Sequence, residues 1–250
     1  MDFDVLLVDI EGTTTSISFV KDILFPFARS EVEKFLRSNW NSENVRECIN
    51  SLRNQAKEDL SAGMESIVEI PENAFEETLQ CVLNNIYKMM DIDRKVKALK
   101  TLQGYVWIGG YKEGVLKGHV YQDVKPVLDR LLEEKRKIYV YSSGSVGAQK
   151  LLFEYSTEGD MLKYFSGHFD TSVGMKTEVQ SYQQIAQAIS TLPERILFLT
   201  DIPAEADAAS SAGFQVRLVS RPGNNPVSKE DKERHNIIHS FEELLVANTD

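Results

Sequence analysis

Residues 5–16, VLLVDIEGTTTS, decide the fold. Four apolar residues run directly into Asp9, a second carboxylate follows at Glu11, and the chain then turns through Gly12 into three threonines. A continuous apolar run of this kind is typical of a strand buried on both faces of a parallel sheet. Two carboxylates at the mouth of such a strand need a chemical explanation, because burial disfavours a charged group that has no partner.

Length and composition indicate a globular protein. The chain has 250 residues, 42% of them hydrophobic, and a formal net charge of −10. That charge argues against a nucleic-acid partner, since phosphate backbones are bound by clustered Lys and Arg. No apolar run approaches the roughly 20 residues that cross a bilayer, and the N-terminal MDFDVLLVD has neither a basic leader nor a small-residue cleavage site. We therefore expect no membrane partner and a cytoplasmic protein, with the nucleus as a further location.

The two cysteines, Cys48 and Cys81, are expected to be free thiols. They are too few for a disulfide framework, and their spacing matches no metal site. We assign them no chemistry.

The residues from Phe25 to about Met90 predict a helical block. Apolar residues recur there at spacings of three and four, which is the pattern of amphipathic helices. Breaks are expected over 39–44 and 61–72, where turn-forming residues cluster. The expected core positions are Val32, Phe35, Leu36, Trp40, Val45, Ile49, Leu52, Ala56, Leu60, Phe75, Leu79, Val82, Leu83, Ile86 and Met90.

From about Tyr121 onward, short apolar strands alternate with helices. The segments KIYVYSS, ILFLTD and FQVRLV predict strands, and helices are expected from Pro126, over 146–155 and over 203–213. This alternation predicts parallel strands joined by right-handed crossovers, with helices on both faces of the sheet. The fold class is therefore α/β, with a Rossmann-like, doubly wound parallel sheet.

The first strand is expected to join this sheet, which makes the helical block an insertion. We predict an α/β catalytic core formed by 1–16 and 119–250, and an inserted helical cap domain over 17–118. Because the insertion follows the first strand directly, we expect it to lie like a lid over the carboxyl ends of the strands. Ligands bind at those ends in open α/β sheets.

Polar residues follow the predicted strands at that edge. Taken singly, each has an ordinary explanation, since a carboxylate can cap a helix, Ser-Ser-Gly can form a turn and a lone lysine is usually solvated. Together they are less ordinary, because carboxylates packed at one site raise one another's pKa unless a cation lies among them. The set comprises Asp9, Glu11, Ser142, Ser143, Gly144, Lys176, Asp201 and Glu205.

A magnesium site formed by Asp9 with Asp201 is the simplest explanation of this set. Mg²⁺ prefers oxygen ligands and keeps open positions that phosphate oxygens can occupy. Residues 143–145 lead into a predicted helix, whose first backbone N–H groups attract an anion. With the added charge of Lys176, the pattern predicts a small phosphorylated substrate, held locally against an unfavourable overall charge.

These motifs resemble those of the haloacid dehalogenase superfamily of phosphatases. The superfamily has Asp where this chain has Glu11, and Glu is typical of a narrower family, the enolase-phosphatases of methionine salvage. The similarity covers most of the chain outside the middle of the inserted block. The matching stretches are DIEGTTTSISFVKDILFPFA, LQGYVW, YSSGSVGAQKLLF, STEGD, GHFDTSVGMKTE, LFLTDIPAEADAA and RPGN.

The resemblance implies a bifunctional, monomeric enzyme that uses one Mg²⁺ per subunit. Its substrate would be the phosphorylated diketone 2,3-diketo-5-methylthiopentyl 1-phosphate, which is first enolised and then dephosphorylated to 1,2-dihydroxy-3-keto-5-methylthiopentene. Asp9 would be the nucleophile that forms an aspartyl-phosphate, and Glu11 would transfer protons. By the same resemblance, the catalytic residues are Asp9, Glu11 and Lys176, the metal ligands are Asp9, Glu11 and Asp201, and the substrate is bound by Ser142, Ser143, Gly144 and Lys176.

Three other interpretations stay open at this point. Another magnesium-dependent phosphatase of the superfamily, acting on a small sugar phosphate, is disfavoured by Glu11. A receiver-like signalling module is disfavoured, because such modules have their phosphoacceptor after a strand in the middle of the chain and have no long insertion after their first strand. A catalytically inactive binding protein would release no phosphate. A phosphatase assay with and without a chelator separates the last two from an enzyme.

Overall fold

The computed structural model describes residues 2–94 and 96–245. Its contacts divide the chain into two compact units, one running up to Lys21 and resuming at Lys117, and the other spanning Asp22–Leu116. The sequence placed the boundaries after residue 16 and before residue 119. The first unit extends further because Phe19 is buried in it, with its ring 6.4 Å from that of His119.

A six-stranded parallel sheet forms the centre of the first unit, with the order β3-β2-β1-β4-β5-β6. This confirms the predicted α/β class. The strand β1 lies in the middle, where Leu6 pairs with Ile138 on one side and with Leu197 on the other. The order reverses at β1, and such a switch point is where open α/β sheets bind ligands. The strands are β1 (Val5–Val8), β2 (Lys137–Tyr141), β3 (Gly167–Phe169), β4 (Ile196–Thr200), β5 (Gln215–Val219) and β6 (Ile237–Ile238).

Helices cover the sheet within this unit. Val5 and Leu7 belong to one core cluster with residues of the helices Val179–Ala188 and Pro203–Ser211, whereas Leu6 and Val8 alternate to the opposite face and are equally buried. The helices are α1 (Ile17–Phe19), α6 (Val124–Glu133), α7 (Val146–Glu154), α8 (Val179–Ala188), α9 (Pro203–Ser211) and α10 (Lys229–Arg234), with 3₁₀ turns at Leu162–Tyr164, Pro193–Arg195 and Phe241–Leu244.

The start of α6 differs from the prediction. The helix begins at Val124 rather than at Pro126. Proline is tolerated there because the first N–H groups of a helix have no intrahelical acceptor, so a residue without an N–H loses nothing.

Four helices build the described part of the second unit, after a π-helical turn at Val20–Leu24. They are α2 (Phe25–Asn39), α3 (Glu43–Ser61), α4 (Phe75–Asp91) and α5 (Lys97–Lys112). Most of the expected core positions are buried, but Leu60 and Phe75 are 40% and 37% exposed because they lie at helix ends. Within the described ranges, no helix combines the length and apolarity needed to span a bilayer.

The two free cysteines of the second unit lie in different environments. Cys48 is buried and donates to the carbonyl of Ala98 at 3.4 Å, and burial raises the pKa of its thiol to about 11. Cys81 is only half-buried.

Because the thiolate is the reactive form, we expect iodoacetamide at pH 8 to modify Cys81 more than about 10-fold faster than Cys48.

Mass spectrometry of timed samples measures both rates. In denaturant the two cysteines should react alike, and similar rates in the native protein would contradict the placement of Cys48.

Candidate active site

Asp9 stands directly after β1 and is nearly fully buried, at 4% exposure. Its N–H donates to the carbonyl of Leu199 at 2.9 Å, which continues the ladder between β1 and β4. The N–H of Ile10 donates to Asp9 Oδ1 at 2.7 Å. Backbone groups therefore fix both the position and the orientation of this carboxylate at the carboxyl edge of the sheet.

The chain turns tightly after Asp9. The carbonyl of Ile10 accepts the N–H groups of Thr13, Thr14 and Thr15 at 3.2, 3.0 and 2.9 Å. Gly12 has a φ of +73°, and a Cβ at that position would overlap the carboxylate of Asp201. Only glycine accepts both constraints without strain. The turn that carries Glu11 thus lies against Asp201, a residue distant in sequence.

Lys176 forms two buried ion pairs at this edge. Its Nζ lies 2.8 Å from Asp9 Oδ1 and 2.7 Å from Glu205 Oε2, and its side chain is 8% exposed. Glu205 Oε2 also accepts the hydroxyl of Thr200 at 2.7 Å. The ordinary expectation of a solvated loop lysine does not hold here, and Glu205 is a site residue to which the sequence assigned no role.

The loop of Lys176 is held from α8. Tyr182 donates its hydroxyl to the carbonyl of Lys176 at 2.6 Å, and Ser181 donates to that of Met175 at 2.7 Å. Tyr141, at the end of β2, donates to the carbonyl of Gly174 at 2.9 Å. Three consecutive carbonyls therefore have side-chain partners, which sets the direction in which the lysine enters the site.

The electrostatics of the site are those of a carboxylate cluster with too few cations. Burial raises the pKa of Asp9 to about 8, against the opposing effect of Lys176. Burial and the nearby Glu205 raise the pKa of Asp201 to about 7. For Lys176, burial alone would lower the pKa, but the adjacent carboxylates outweigh it and the pKa lies above its usual value. Lys176 stays charged, while Asp9 and Asp201 resist deprotonation.

This donor set fits a hard divalent cation. Asp9, Asp201 and Glu205 can carry three negative charges against the single charge of Lys176. Across residues 2–94 and 96–245, no three His, Cys, Asp or Glu side chains are grouped so as to hold a metal by themselves. Mg²⁺ does not require such a cage, because it commonly takes one or two carboxylates and keeps several water molecules.

The Ser-Ser-Gly segment follows β2 at the same edge of the sheet. Ser142 is buried and donates its N–H to the carbonyl of Phe169 at 3.2 Å, whereas the side chain of Ser143 is exposed. The start of α7 offers an anion fewer unpaired backbone N–H groups than its sequence suggests. The N–H of Val146 already donates to Asp170 at 3.2 Å, and that of Ala148 donates to Ser145 at 3.3 Å.

Gln149, which is 1% exposed, holds this segment in place. Its Nε2 donates to the carbonyls of Gly144 and Phe169, both at 2.8 Å. Since both of its N–H groups are used, Oε1 accepts from His168 Nδ1 at 3.1 Å. Burial lowers the pKa of His168 to about 4, so the imidazole is neutral near pH 7 and carries its proton on Nδ1.

Contacts bring together part of the set singled out in the sequence, and Ser142, Ser143 and Gly144 are placed only at the same edge of the sheet. Asp9, Lys176 and Glu205 form one ion-paired chain, and Gly12 packs on Asp201. Glu11 is exposed at the surface of the first unit. Sequence reasoning missed the residues that support the site through hydrogen bonds, namely Tyr141, Gln149, Ser181, Tyr182 and Thr200.

Comparison with known proteins places the chain in a family. A sequence model of the family described as haloacid dehalogenase-like hydrolase matches residues 3–213. An enolase-phosphatase E1 from Anopheles gambiae is 51% identical, over 97% of this chain and 82% of that protein. One from Xenopus tropicalis is 48% identical, over 96% of this chain and 93% of that protein.

A solved structure is similar along nearly the whole chain. The crystal structure of the UTR4 protein of Saccharomyces cerevisiae has a TM-score of 0.77 and 34% identity, over 96% of this chain and 99% of that chain. The family match includes Asp9, Lys176 and Asp201, and the relatives match along nearly the whole length. The chain therefore belongs to the haloacid dehalogenase-like hydrolases and, among them, to the enolase-phosphatase E1 family.

Proposed function

We propose that this chain is a magnesium-dependent enolase-phosphatase, which converts 2,3-diketo-5-methylthiopentyl 1-phosphate to 1,2-dihydroxy-3-keto-5-methylthiopentene and phosphate. Membership of the enolase-phosphatase E1 family supports both the substrate and the place of the reaction in methionine salvage. The observation that carries the proposal is the buried Asp9 carboxylate, oriented by the backbone N–H of Ile10 and paired with Lys176 at 2.8 Å.

In the phosphatase step, Asp9 attacks phosphorus and displaces the alcohol. A phosphate monoester and a carboxylate are both anions, and one pair of unit charges at about 4 Å repels by about 4 kcal/mol at an effective dielectric constant near 20. Lys176 offsets part of this repulsion at the attacking oxygen. Its position is set before substrate arrives by the loop contacts from α8, so little reorganisation is needed during the reaction.

Asp9, Asp201 and Glu11 would hold the metal, with Glu11 contributing its backbone carbonyl or its side chain. Bound Mg²⁺ would offset the remaining negative charge and polarise the oxygens of the substrate. The raised pKa values of Asp9 and Asp201 support this assignment, because a dication would stabilise their charged forms.

Glu11 is the proton-transfer group in the proposal. Its side chain is exposed on the unit that carries Asp9, so it can exchange protons with substrate and solvent. It would protonate the leaving oxygen and then take a proton from the water that hydrolyses the aspartyl-phosphate.

For the substrate phosphate, Ser142, Ser143 and Gly144 supply neutral donors from the segment held by Gln149.

Replacing the nucleophile tests the covalent step. The change Asp9→Asn keeps the shape of the side chain but removes its nucleophilic charge, so we expect phosphate release to fall by at least about 1000-fold. A stopped assay of inorganic phosphate measures this loss, and circular dichroism with thermal unfolding checks the fold. A folded Asp9→Asn variant that keeps more than a tenth of the wild-type rate would rule out Asp9 as the nucleophile.

Metal removal tests the proposed cofactor. Treatment with EDTA should abolish phosphate release, and Mg²⁺ should restore it. We expect Ca²⁺ to restore little, because it is larger and takes six to eight oxygen ligands in flexible geometry. The readout is initial rate against metal concentration after dialysis. Full activity in EDTA would show that the carboxylates work without a metal.

The length of Glu11 tests its part in the two steps. The change Glu11→Asp shortens the side chain by one methylene and withdraws the carboxyl from its proton-transfer position. We expect both enolisation and phosphate release to slow by about 100-fold. Absorbance of the enol and a phosphate assay follow the steps separately. Unchanged enolisation with slowed phosphate release would remove Glu11 from the first step.

A phosphatase of the same superfamily that acts on a small sugar phosphate is the alternative function. It predicts no enol absorbance and a larger kcat/KM for sugar phosphates than for the diketone phosphate. A direct comparison of the two substrate classes on the wild-type protein decides between them.

A further inference from the structure

The turn that carries Glu11 receives side-chain donors on its outward carbonyls. Asn224 Nδ2 donates to the carbonyl of Gly12 at 2.9 Å, and Arg221 Nε donates to that of Thr13 at 3.2 Å. Both residues belong to the loop that follows β5, and the N–H of Asn224 donates to the carbonyl of Arg221 at 3.1 Å. One short loop therefore donates hydrogen bonds to two consecutive carbonyls of the turn.

Arg221 is buried for this contact. It is 7% exposed, its Nη1 lies 2.8 Å from Asp123 Oδ2, and its guanidinium lies 4.3 Å from the centre of the Tyr121 ring. A buried guanidinium is costly to desolvate unless it is paired and hydrogen-bonded. Asp123 pairs with Nη1, and Nε is directed at the carbonyl of Thr13, whereas the buried Nη2 has no hydrogen-bond partner among the described residues.

The carboxylate that holds Arg221 is itself fixed. Asp123 Oδ2 accepts the N–H of Phe241 at 2.7 Å and the hydroxyl of Ser240 at 3.1 Å. Arg221 Nη1 also donates to the carbonyl of His239 at 3.1 Å. The segment that leads into the last 3₁₀ turn therefore prevents the guanidinium from swinging away from the Thr13 carbonyl.

The position of the turn matters because there is no space between Gly12 and the Asp201 carboxylate for one further carbon atom. A Cβ on Gly12 would overlap that carboxylate, so a small shift of the turn changes its distance from Asp201. Glycine has wide backbone freedom, so Gly12 does not by itself hold the turn in one conformation. From outside the turn, the N–H of Tyr121 restrains the carbonyl of Thr14 at 3.0 Å, and the contacts of Asn224 and Arg221 restrain the two carbonyls nearest Asp201.

We propose that Arg221 and Asn224 are positioning residues, which hold the Glu11–Gly12 turn against Asp201 and so set the spacing of the carboxylates that bind the metal. The inference rests on the proposed magnesium-dependent function. Neither residue need touch the substrate, because each acts through a backbone carbonyl. Loss of such a supporting contact should raise the Mg²⁺ concentration needed for half-maximal activity and lower the rate of the chemical step. Substrate affinity should change little.

Gln215 offers a matched control. Its Nε2 also donates to two backbone carbonyls, those of Asp2 at 2.6 Å and Glu194 at 2.8 Å. It begins β5, whereas Asn224 lies beyond the other end of the same strand. Gln215→Ala and Asn224→Ala therefore remove similar amide contacts at opposite ends of the sheet, and only the second affects the turn.

The experiment measures phosphate release from the diketone phosphate against Mg²⁺ concentration for wild type, Asn224→Ala, Arg221→Lys and Gln215→Ala. For Asn224→Ala, we expect the half-saturating Mg²⁺ concentration to rise by about 10-fold and kcat to fall by a similar factor, with KM within about twofold of wild type. Arg221→Lys keeps the charge beside Asp123 but lacks the Nε–H, so the same defect is expected. Gln215→Ala should match wild type.

A second measurement does not depend on turnover. Thermal unfolding with and without Mg²⁺ reports metal binding directly, because a ligand that binds the folded state raises its melting temperature. Asn224→Ala and Gln215→Ala should both melt somewhat below wild type. Only Asn224→Ala should show a reduced shift on addition of Mg²⁺. The variant Asn224→Asp, which keeps the shape but lacks the donor, should behave like Asn224→Ala.

The outcomes separate the two proposals. Wild-type protein that releases no phosphate with Mg²⁺ would overturn the proposed function. Active wild type, together with Asn224→Ala and Asn224→Asp that match Gln215→Ala in metal requirement, kcat and Mg²⁺-dependent melting shift, would overturn the positioning inference and leave the proposed function standing.

Discussion

The buried pairing of Lys176 with Asp9 and Glu205 is the interaction on which the site depends. A single ammonium group, 2.7–2.8 Å from two carboxylates, joins the end of β1 to the start of α9. Because the ammonium group is buried, it needs these partners, since a desolvated charge without a partner destabilises the folded state. The hydrogen bonds from Tyr141, Ser181 and Tyr182 to the preceding loop keep the lysine where it meets both partners.

The parallel sheet explains why these groups can meet at all. With β1 between β2 and β4, the residues that follow these strands emerge at one edge from three separate parts of the chain. Gly12 then lets the turn after β1 approach Asp201 more closely than any residue with a Cβ could. Strand order brings the carboxylates together, and burial and their mutual repulsion raise the pKa values of Asp9 and Asp201. A hard dication is suited to relieve that repulsion.

Much of the architecture could be predicted, and the failures have physical causes. Buried runs such as VLLV and ILFLT marked central strands, whereas β3 and β6, with three and two residues, are too short to show a pattern. Helix α5 was missed because three glycines interrupt its apolar periodicity. At the start of α7, local sequence indicated unpaired N–H groups, but Asp170, from beyond β3, accepts one of them.

The sequence by itself determined the chemistry available to this protein. A run of apolar residues ending in Asp9 and Glu11, a strand ending in Asp201 and a loop with Lys176 are local patterns, and they were enough to indicate phosphate chemistry. Only the tertiary structure decided how those groups are charged and held. The burial of Lys176, its pairing with Glu205, and the contacts of Arg221 and Asn224 with the turn all join residues far apart in the chain. Such contacts depend on packing across the sheet, and one sequence contains no local signal for which distant polar group will become a partner.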